Sequence, residues 1–410
     1  MLETYCPESS PSLFAFPREI LFGCGAVKQL SARLAMMKCK HPLIVTGPNV
    51  AQRLLAKVIS PDIYFSKTPS FAVERLNPTD KDVEKGSDIF AEQNCDSIIA
   101  IGGGSRIDVA KGIRVHAAYR YRDVLKQRGC LDNYYLDAGG ESRIKNNLCP
   151  LITIPTVAGS GSEVSRGCII TDTTQNRKRL IASPYLMPSL AILDPELTLS
   201  CPAKQIAESG IDCLCHAIEA YVGTNYNPMA KGMARQAAAI CYRYLPRTYH
   251  DDMAEAYGAT PTRDCLEARG QMMIASATAA LCFGKGLGVI HSLAHALSPV
   301  CGLSHGLAIA LMMPIGMTFN LTHARRDYSE LAYDIGCEPK CADDSGADEL
   351  IAAVERTRRR LNLPTSLSEV GVKHEQIPEL AEKAMLDLGH KTNPRACTLD
   401  DMKAMYERAW

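Results

Sequence analysis

The chain has 410 residues, 46% of them hydrophobic and 22% charged, and its 45 basic and 45 acidic side chains leave a formal net charge of zero. That length is ample for two domains around large buried cores, and the neutral balance leaves no electrostatic footprint for nucleic acid or an anionic membrane. Seventeen cysteines, odd in number and scattered among apolar neighbours, read as reduced structural thiols and not as a disulfide framework.

In chain order, the opening MLETYCPESS has an early acid and no apolar run of the secretory kind, so a cytosolic protein is expected. The first half then alternates short β-branched runs with helical spacing. LIVT (43–46), SIIAI (97–101), LITI (151–154), CIIT (168–171) and LAIL (190–193) read as buried strands. DKDVEKGSDIFAEQ (80–93) and SRIDVAKGIRVHAAY (105–119) read as helices between them. Such alternation predicts a mainly parallel sheet with crossover helices. A polar stretch, roughly 120–148, reads as a loop with a short helix. After Asp194-Pro195 the pattern becomes almost continuously helical, with no convincing strand. The boundary is placed near residue 196, giving an α/β domain over 1–196 and an all-α domain over 197–410. The apolar run GLAIALMMPIGM reads as too short and too proline-broken to cross a bilayer.

Two glycine-rich turns follow strands. IIAIGGGSRIDVAKGI sets Gly103, Gly104 and Ser105 between a strand and a helix, where backbone N–H groups and a helix N-terminus favour an anion. Ser105 is placed to cap the helix or donate to a phosphate. It is neither GxGxxG nor a Walker A loop, and alone it reads equally as a tight turn. PTVAGSGSEVS (155–165) supplies a second such turn, with Thr156 and Ser160. Two turns at the carboxyl ends of parallel strands suggest one nucleotide across the sheet edge.

Histidines gather in the second half. In SGIDCLCHAIEAY (209–221), Asp212 and His216 lie four apart on a helical segment and share a face. His291 and His295 repeat that spacing in HSLAHALSPVCGLSH, and His305 follows. A lone histidine on an apolar face is more often a satisfied core residue, but this set together suits a first-row divalent ion with oxygen and nitrogen ligands. Cys213 and Cys215 point to different helix faces and read as structural.

GGGSRIDVAKGI, PTVAGSGSEVS, IDCLCHAIEAY and GLGVIHSLAHALSPVCGLSHG, in this order, resemble the iron-containing alcohol dehydrogenase family, whose fold is that of dehydroquinate synthase. The likeness runs from FPREILFGCGAVKQL (16–30) to about residue 320. It implies a nucleotide domain followed by a helical domain holding iron(II), with Asp212, His216, His291 and His305 as ligands. His295 becomes the non-ligand histidine beside nicotinamide and substrate. The implied activity is NAD(P)-dependent interconversion of a small primary alcohol and its aldehyde by hydride transfer, with the substrate oxygen polarised by the metal. Zn(II) or Mn(II) would suit the same ligands. Cofactor contacts are expected from Gly47, Asn49, Asn77, Gly103, Gly104, Ser105, Asp108, Thr156, Ser160 and Lys178, and the protein is expected to be a homodimer or higher homo-oligomer.

Some residues depart from the family pattern. Gly47 stands where many members carry an aspartate for the adenosine ribose. NADP(H) is then no longer excluded by charge, and no compensating arginine is evident beside it in VTGPNV. Lys285 occupies a usually small or apolar position and reads as a surface lysine, though it leaves open a reductase of an anionic aldehyde. Ser298 replaces a usual glycine. Within the same superfamily, a polyol or hydroxy-acid dehydrogenase is also open. So is a lyase of the dehydroquinate synthase type, which would want more cationic side chains than the apolar run after His305 offers.

Overall fold

The structure is a computed structural model that describes residues 18–48, 50, 68–75, 77–119, 131–256, 262–337 and 345–410, with only the backbone of 251–256. The chain divides into two compact units, one of Phe16–Val157 with Ser162–Ser200, the other including Cys201–Trp410 with Ala158–Gly161. The change of unit at Ser200 lies close to the expected residue 196. The transfer of Ala158–Gly161 to the helical unit has no counterpart in the sequence reading.

The first unit runs β1 (Ile20–Phe22), α1 (Leu30–Met36), β2 (Pro42–Thr46), β3 (Ser70–Ala72), α2 (Asp80–Glu92), β4 (Ser97–Gly102), α3 (Gly104–Tyr119), β5 (Leu151–Pro155), β6 (Gly167–Asp172), β7 (Arg177–Ala182) and β8 (Leu190–Leu193). Six strands form one parallel sheet in the order β1-β8-β5-β4-β2-β3. Every residue of β2, β4, β5 and β8 is buried, as parallel strands covered on both faces require. Leu43, Val45, Ile98, Ala100 and Leu151 face a core shared with Val83, Ile107 and Ile113 of α2 and α3. Their alternates Ile44, Ile99, Ile101, Ile152 and Ile154 face Leu30 and Leu34 of α1. α2 begins at a reciprocal cap, Thr79 accepting from the Asp82 N–H while Asp82 accepts from the Thr79 N–H.

One expected strand pairs differently. CIIT lies in β6, which forms a separate antiparallel hairpin with β7 and takes no place in the parallel sheet. The turn at 173–176 explains this, because the Asp172 carboxylate gathers Thr174 and Gln175 N–H groups and Asn176 takes the left-handed conformation that closes the hairpin. Of the polar stretch, 131–143 forms short 3-10 turns, and residues 120–130 lie outside the described residues.

The second unit runs α4 (Ala203–Val222), α5 (Pro228–Ala256), α6 (Arg263–Leu281), α7 (Val289–Cys301), α8 (His305–Asp334), α9 (Gly346–Arg360), α10 (Ile377–Leu386) and α11 (Leu399–Ala409), with no strand among the described residues. α4 is buried almost throughout and packs on α5, α6 and α8. Gly159 sits against it so closely that a Cβ there would lie 2.3 Å from the Ser209 carbonyl oxygen, and its N–H donates to Ser276 Oγ of α6 at 2.9 Å. The small residues of Ala158–Gly161 are therefore demanded by helix packing. α8 continues unbroken through Pro314, where proline was expected to interrupt the apolar run. By length and composition α8 would suffice to cross a membrane, but 61% of its most apolar window is buried in the unit.

Lys111 of α3 is fully buried in the first unit. Its Nζ donates to the carbonyls of Ser162, Ser165 and Gly167 at 2.7–2.8 Å and to the Ser162 and Ser165 hydroxyls. Lys111→Met should leave these acceptors unpaired in the core and lower unfolding stability by roughly 3 kcal/mol or more. Urea denaturation reads the loss, and an unchanged midpoint would show that this latch contributes nothing.

Candidate metal and nucleotide sites

Asp212 and His216 project from the same face of α4, one turn apart, and both are buried. His291 enters from the first turn of α7 and His305 from the first position of α8. Asp212 Oδ1 stands 3.5 Å from Nε2 of each of His216, His291 and His305. That separation is too long for good hydrogen bonds, and Asp212 Oδ1 and His291 Nε2 are buried without one. It does match a shared cation, since donors about 2.1 Å from one ion are about 3.4 Å apart at the tetrahedral angle. Donor atoms of Asp212, His216 and His291 lie within 4.8 Å of one another. One carboxylate with neutral imidazoles is a donor set for Fe(II), Zn(II) or Mn(II), so these residues fit such an ion.

The charge states of His216 and Asp212 agree with that use, whereas without an ion the His291 ring is held in its charged form. Burial pushes His216 down to about 4, against the pull of Asp212, which leaves a neutral ligand. Burial would raise the Asp212 carboxyl, but the surrounding histidines, His216 first, hold it well below its usual range. Burial would likewise lower His291, and Glu219 outweighs it and raises the ring well above the ordinary value.

Glu219 was not singled out from sequence, although its place seven residues after Asp212 puts it on the same helix face. It is 2% exposed. Its Oε2 takes the His291 Nδ1 proton at 2.5 Å and its Oε1 accepts the Ile290 N–H at 2.7 Å. One carboxylate thus caps the start of α7 and turns Nε2 of His291 toward Asp212, the support a ligand histidine needs. Cys213 and Cys215 are buried, and burial with Glu219 nearby pushes the Cys215 thiol up to about 12, so it stays protonated.

His295, a turn beyond His291, stacks on His305 with ring centroids 5.1 Å apart. Its Nδ1 meets Asp387 Oδ2 at 2.7 Å, and Asp387 is fixed through Oδ1 by the Ser292 hydroxyl and the Gly389 N–H. Asp387 is a second residue missed, for no local pattern around DLGHKT joins it to a histidine 92 positions away. Lys285 contradicts the expected surface placement. It is 2% exposed and its Nζ donates to the Asn225 carbonyl at 2.9 Å, because the short turn between α6 and α7 tucks it under the 223–227 segment. Ser298 is buried within α7.

In the first unit, Gly103, Gly104, Ser105 and Thr156 come together at the carboxyl ends of β4 and β5, where the Thr156 N–H donates to the Gly102 carbonyl. Gly47 directly follows the neighbouring β2. Asn77 leads into a bridge between Thr79 and Thr171, and Lys178 faces Thr171 across the hairpin. Asp108 turns inward, accepting from the Ser162 hydroxyl at 2.5 Å and the Ile169 N–H at 3.0 Å. Its carboxylate therefore organises the turn from within. Ser160 belongs to the segment packed in the helical unit. Asn49 lies outside the described residues.

The family model "Iron-containing alcohol dehydrogenase" matches residues 17–195, and "Fe-containing alcohol dehydrogenase family, C-terminal" matches 206–410. The chain is 34% identical over 400 residues to a 4-hydroxybutyrate dehydrogenase of Cupriavidus necator, covering 94% of this chain and 96% of the relative. It is 31% identical over 400 residues to an NAD-dependent methanol dehydrogenase of Bacillus methanolicus, covering 97% and 99%. The crystal structure of a 1,3-propanediol oxidoreductase superposes with a TM-score of 0.86 at 28% identity, over 98% of this chain and all of that one. With its parallel-sheet unit, its helical unit and its carboxylate–histidine cluster, the chain belongs to the iron-containing alcohol dehydrogenase family, of dehydroquinate synthase-like fold. It is an NAD(P)-dependent oxidoreductase acting on alcohols and aldehydes.

Glu219→Gln keeps the volume but offers His291 and Ile290 one carbonyl oxygen in place of two carboxylate oxygens. Metal retention in competition with a chelator should fall by about 10- to 100-fold. A chelator titration superimposable on that of the wild type would remove Glu219 from the support of the site.

Proposed function

We propose that the enzyme interconverts a small primary alcohol and its aldehyde, using iron(II) held by Asp212, His216, His291 and His305 and NAD or NADP on the first unit. The observation that carries this reading is the single carboxylate oxygen at 3.5 Å from three imidazole nitrogens. The relatives named for methanol, 4-hydroxybutyrate and 1,3-propanediol have a terminal alcohol carbon in common and differ in what it carries, which supports a primary alcohol as the reacting group. When bound, the metal supplies Lewis-acid polarisation of the substrate oxygen. His295 is assigned the proton: Asp387 holds Nδ1–H, so Nε2 is the atom left to exchange it. Glycine-turn N–H groups at Gly103–Ser105 are assigned to the dinucleotide phosphates.

An anionic aldehyde as the preferred substrate would want a free cation, and Lys285 is committed to the Asn225 carbonyl. A cytosolic location and a homo-oligomer complete the proposal, the former supported by cysteines that are thiols wherever they are described.

The test is metal analysis of the purified protein, together with nicotinamide absorbance on a panel of short primary alcohols and aldehydes. His216→Ala or His305→Ala should lose metal and turnover while retaining nucleotide binding. His295→Ala should keep its metal and lose roughly 10²- to 10⁴-fold in kcat. Equal metal content in wild type, His216→Ala and His305→Ala would sink the ligand set, and a metal-free His295→Ala would mean that the roles of the histidines are exchanged.

A further inference from the structure

The sheet order places β2 and β4 side by side. From β2 the chain proceeds to β3 on one flank, and from β4 to β5 on the other. Connections that diverge from two adjacent parallel strands open a crevice at their carboxyl ends, where open α/β sheets bind ligands. The glycine turn Gly102–Ser105 forms one lip of that crevice and Gly47 the other.

Arg106, in the first turn of α3, joins the two lips. Its stem lies over Gly102, where an added Cβ would be 3.2–3.6 Å from Arg106 Cγ, Cβ and Cδ. Its guanidinium lies against Gly47, where an added Cβ would be 2.9 Å from Nε and 3.2 Å from Nη2. No arginine adjoins Gly47 in sequence. Among the described residues, the one that does so in space comes from the first turn of α3, 59 positions along. Among the described residues the guanidinium makes no side-chain hydrogen bond or ion pair. Asp82 acts on it electrostatically, but that carboxylate already accepts the Thr79 N–H at 2.9 Å and hydroxyl at 2.7 Å. The result is a half-buried, permanently charged fork beside a residue with no side chain, at the edge where a nucleotide is expected.

In dinucleotide-binding sheets, a carboxylate near the end of the strand next to the glycine-turn strand takes the adenosine ribose hydroxyls, whereas an arginine nearby accommodates a 2′-phosphate. Here that strand is followed by glycine, and the arginine is present. We propose that Arg106 and Gly47 together form a seat for the 2′-phosphate and make the enzyme selective for NADP(H). Gly47 leaves the volume for the phosphate, and Arg106 meets its oxygens with a planar pair of N–H donors. The proposal rests on the reading of the first unit as the cofactor domain.

The test is equilibrium binding of NADPH and NADH to the metal-loaded protein, followed by nicotinamide fluorescence, with 2′,5′-ADP and 5′-AMP as probes that lack the nicotinamide. The wild type should bind NADPH at least tenfold more tightly than NADH, and 2′,5′-ADP more tightly than 5′-AMP. Arg106→Gln keeps most of the stem over Gly102 and removes the charge. It should weaken NADPH by roughly 10- to 100-fold while NADH moves less than about threefold. Arg106→Lys should retain part of the preference, since it restores charge without the fork. Gly47→Asp, which pairs the guanidinium internally, should turn the preference toward NADH. A wild type that favours NADH, or an Arg106→Gln variant that weakens both cofactors equally, would overturn the 2′-phosphate seat while leaving the cofactor domain standing. A folded, metal-loaded wild type that binds neither cofactor would overturn both.

Discussion

A single buried carboxylate sets the terms for the helical unit. Asp212 sits in the middle of α4, a helix buried nearly along its length, with its Oδ1 facing three imidazole nitrogens at 3.5 Å. A carboxylate removed from water is tolerated only if opposite charge or several donors compensate it, and neutral imidazoles contribute little unless something positive lies between them. The sequence of α4 answers this with a stripe of polar side chains, Glu208, Asp212, His216 and Glu219, spaced so that all fall near one face of an otherwise apolar helix. The two glutamates each fix a neighbour. Glu208 accepts the hydroxyl of Ser304, the residue just before His305 at the start of α8, at 2.7 Å. Glu219 caps α7 just before His291. The helix that bears the central ligand therefore also aims the two helices that bear the others.

This arrangement gives the two histidines of α7 different duties although they stand one turn apart on one helix. His291 gives its Nδ1 proton to a carboxylate on α4, which leaves Nε2 to face Asp212. His295 gives its Nδ1 proton to Asp387, held in place by Ser292 from the intervening turn of α7 and by Gly389. In both cases the carboxylate selects the tautomer. What differs is where the remaining nitrogen points, and that follows from the 100° per residue of the helix and not from the chemistry of the imidazole.

Local spacing made part of this legible. Asp212 with His216, and His291 with His295, are visible at four-residue intervals, and the fully buried runs of β2, β4, β5 and β8 declare a parallel sheet. Glu219 lay within reach of the same argument, seven residues beyond Asp212, but acids near helix ends are usually solvated and do not stand out. Asp387 and Arg106 were not within reach. Their partners lie 92 and 59 positions away, and only the fold brings them together. CIIT misled on pairing because a buried apolar run does not state whether its neighbour is parallel; the turn residues after Asp172 carried that information. PTVAGSGSEVS has a second cause that its residue types do not state. Its glycines read as a phosphate cradle, and Gly159 is in addition required by the carbonyl of Ser209, 2.3 Å from where its side chain would begin.

The two candidate sites differ in construction for a reason that follows from what each is assigned to hold. A metal that stays through many turnovers is best served by buried donors on several helices, as Asp212, His216 and His291 are, with His291 braced by Glu219. A dinucleotide that must enter and leave is better served by strand ends, where backbone N–H groups are free to point outward and little packing is disturbed on release. Specificity at such an edge has to come from a side chain that reaches it without closing it. Arg106 meets that requirement, because its stem is pinned over Gly102 while its head group rests against a residue that offers no side chain to pair with it. An aspartate at 47 would satisfy the guanidinium internally and commit the edge to ribose hydroxyls. Glycine leaves the charge to be answered by whatever binds.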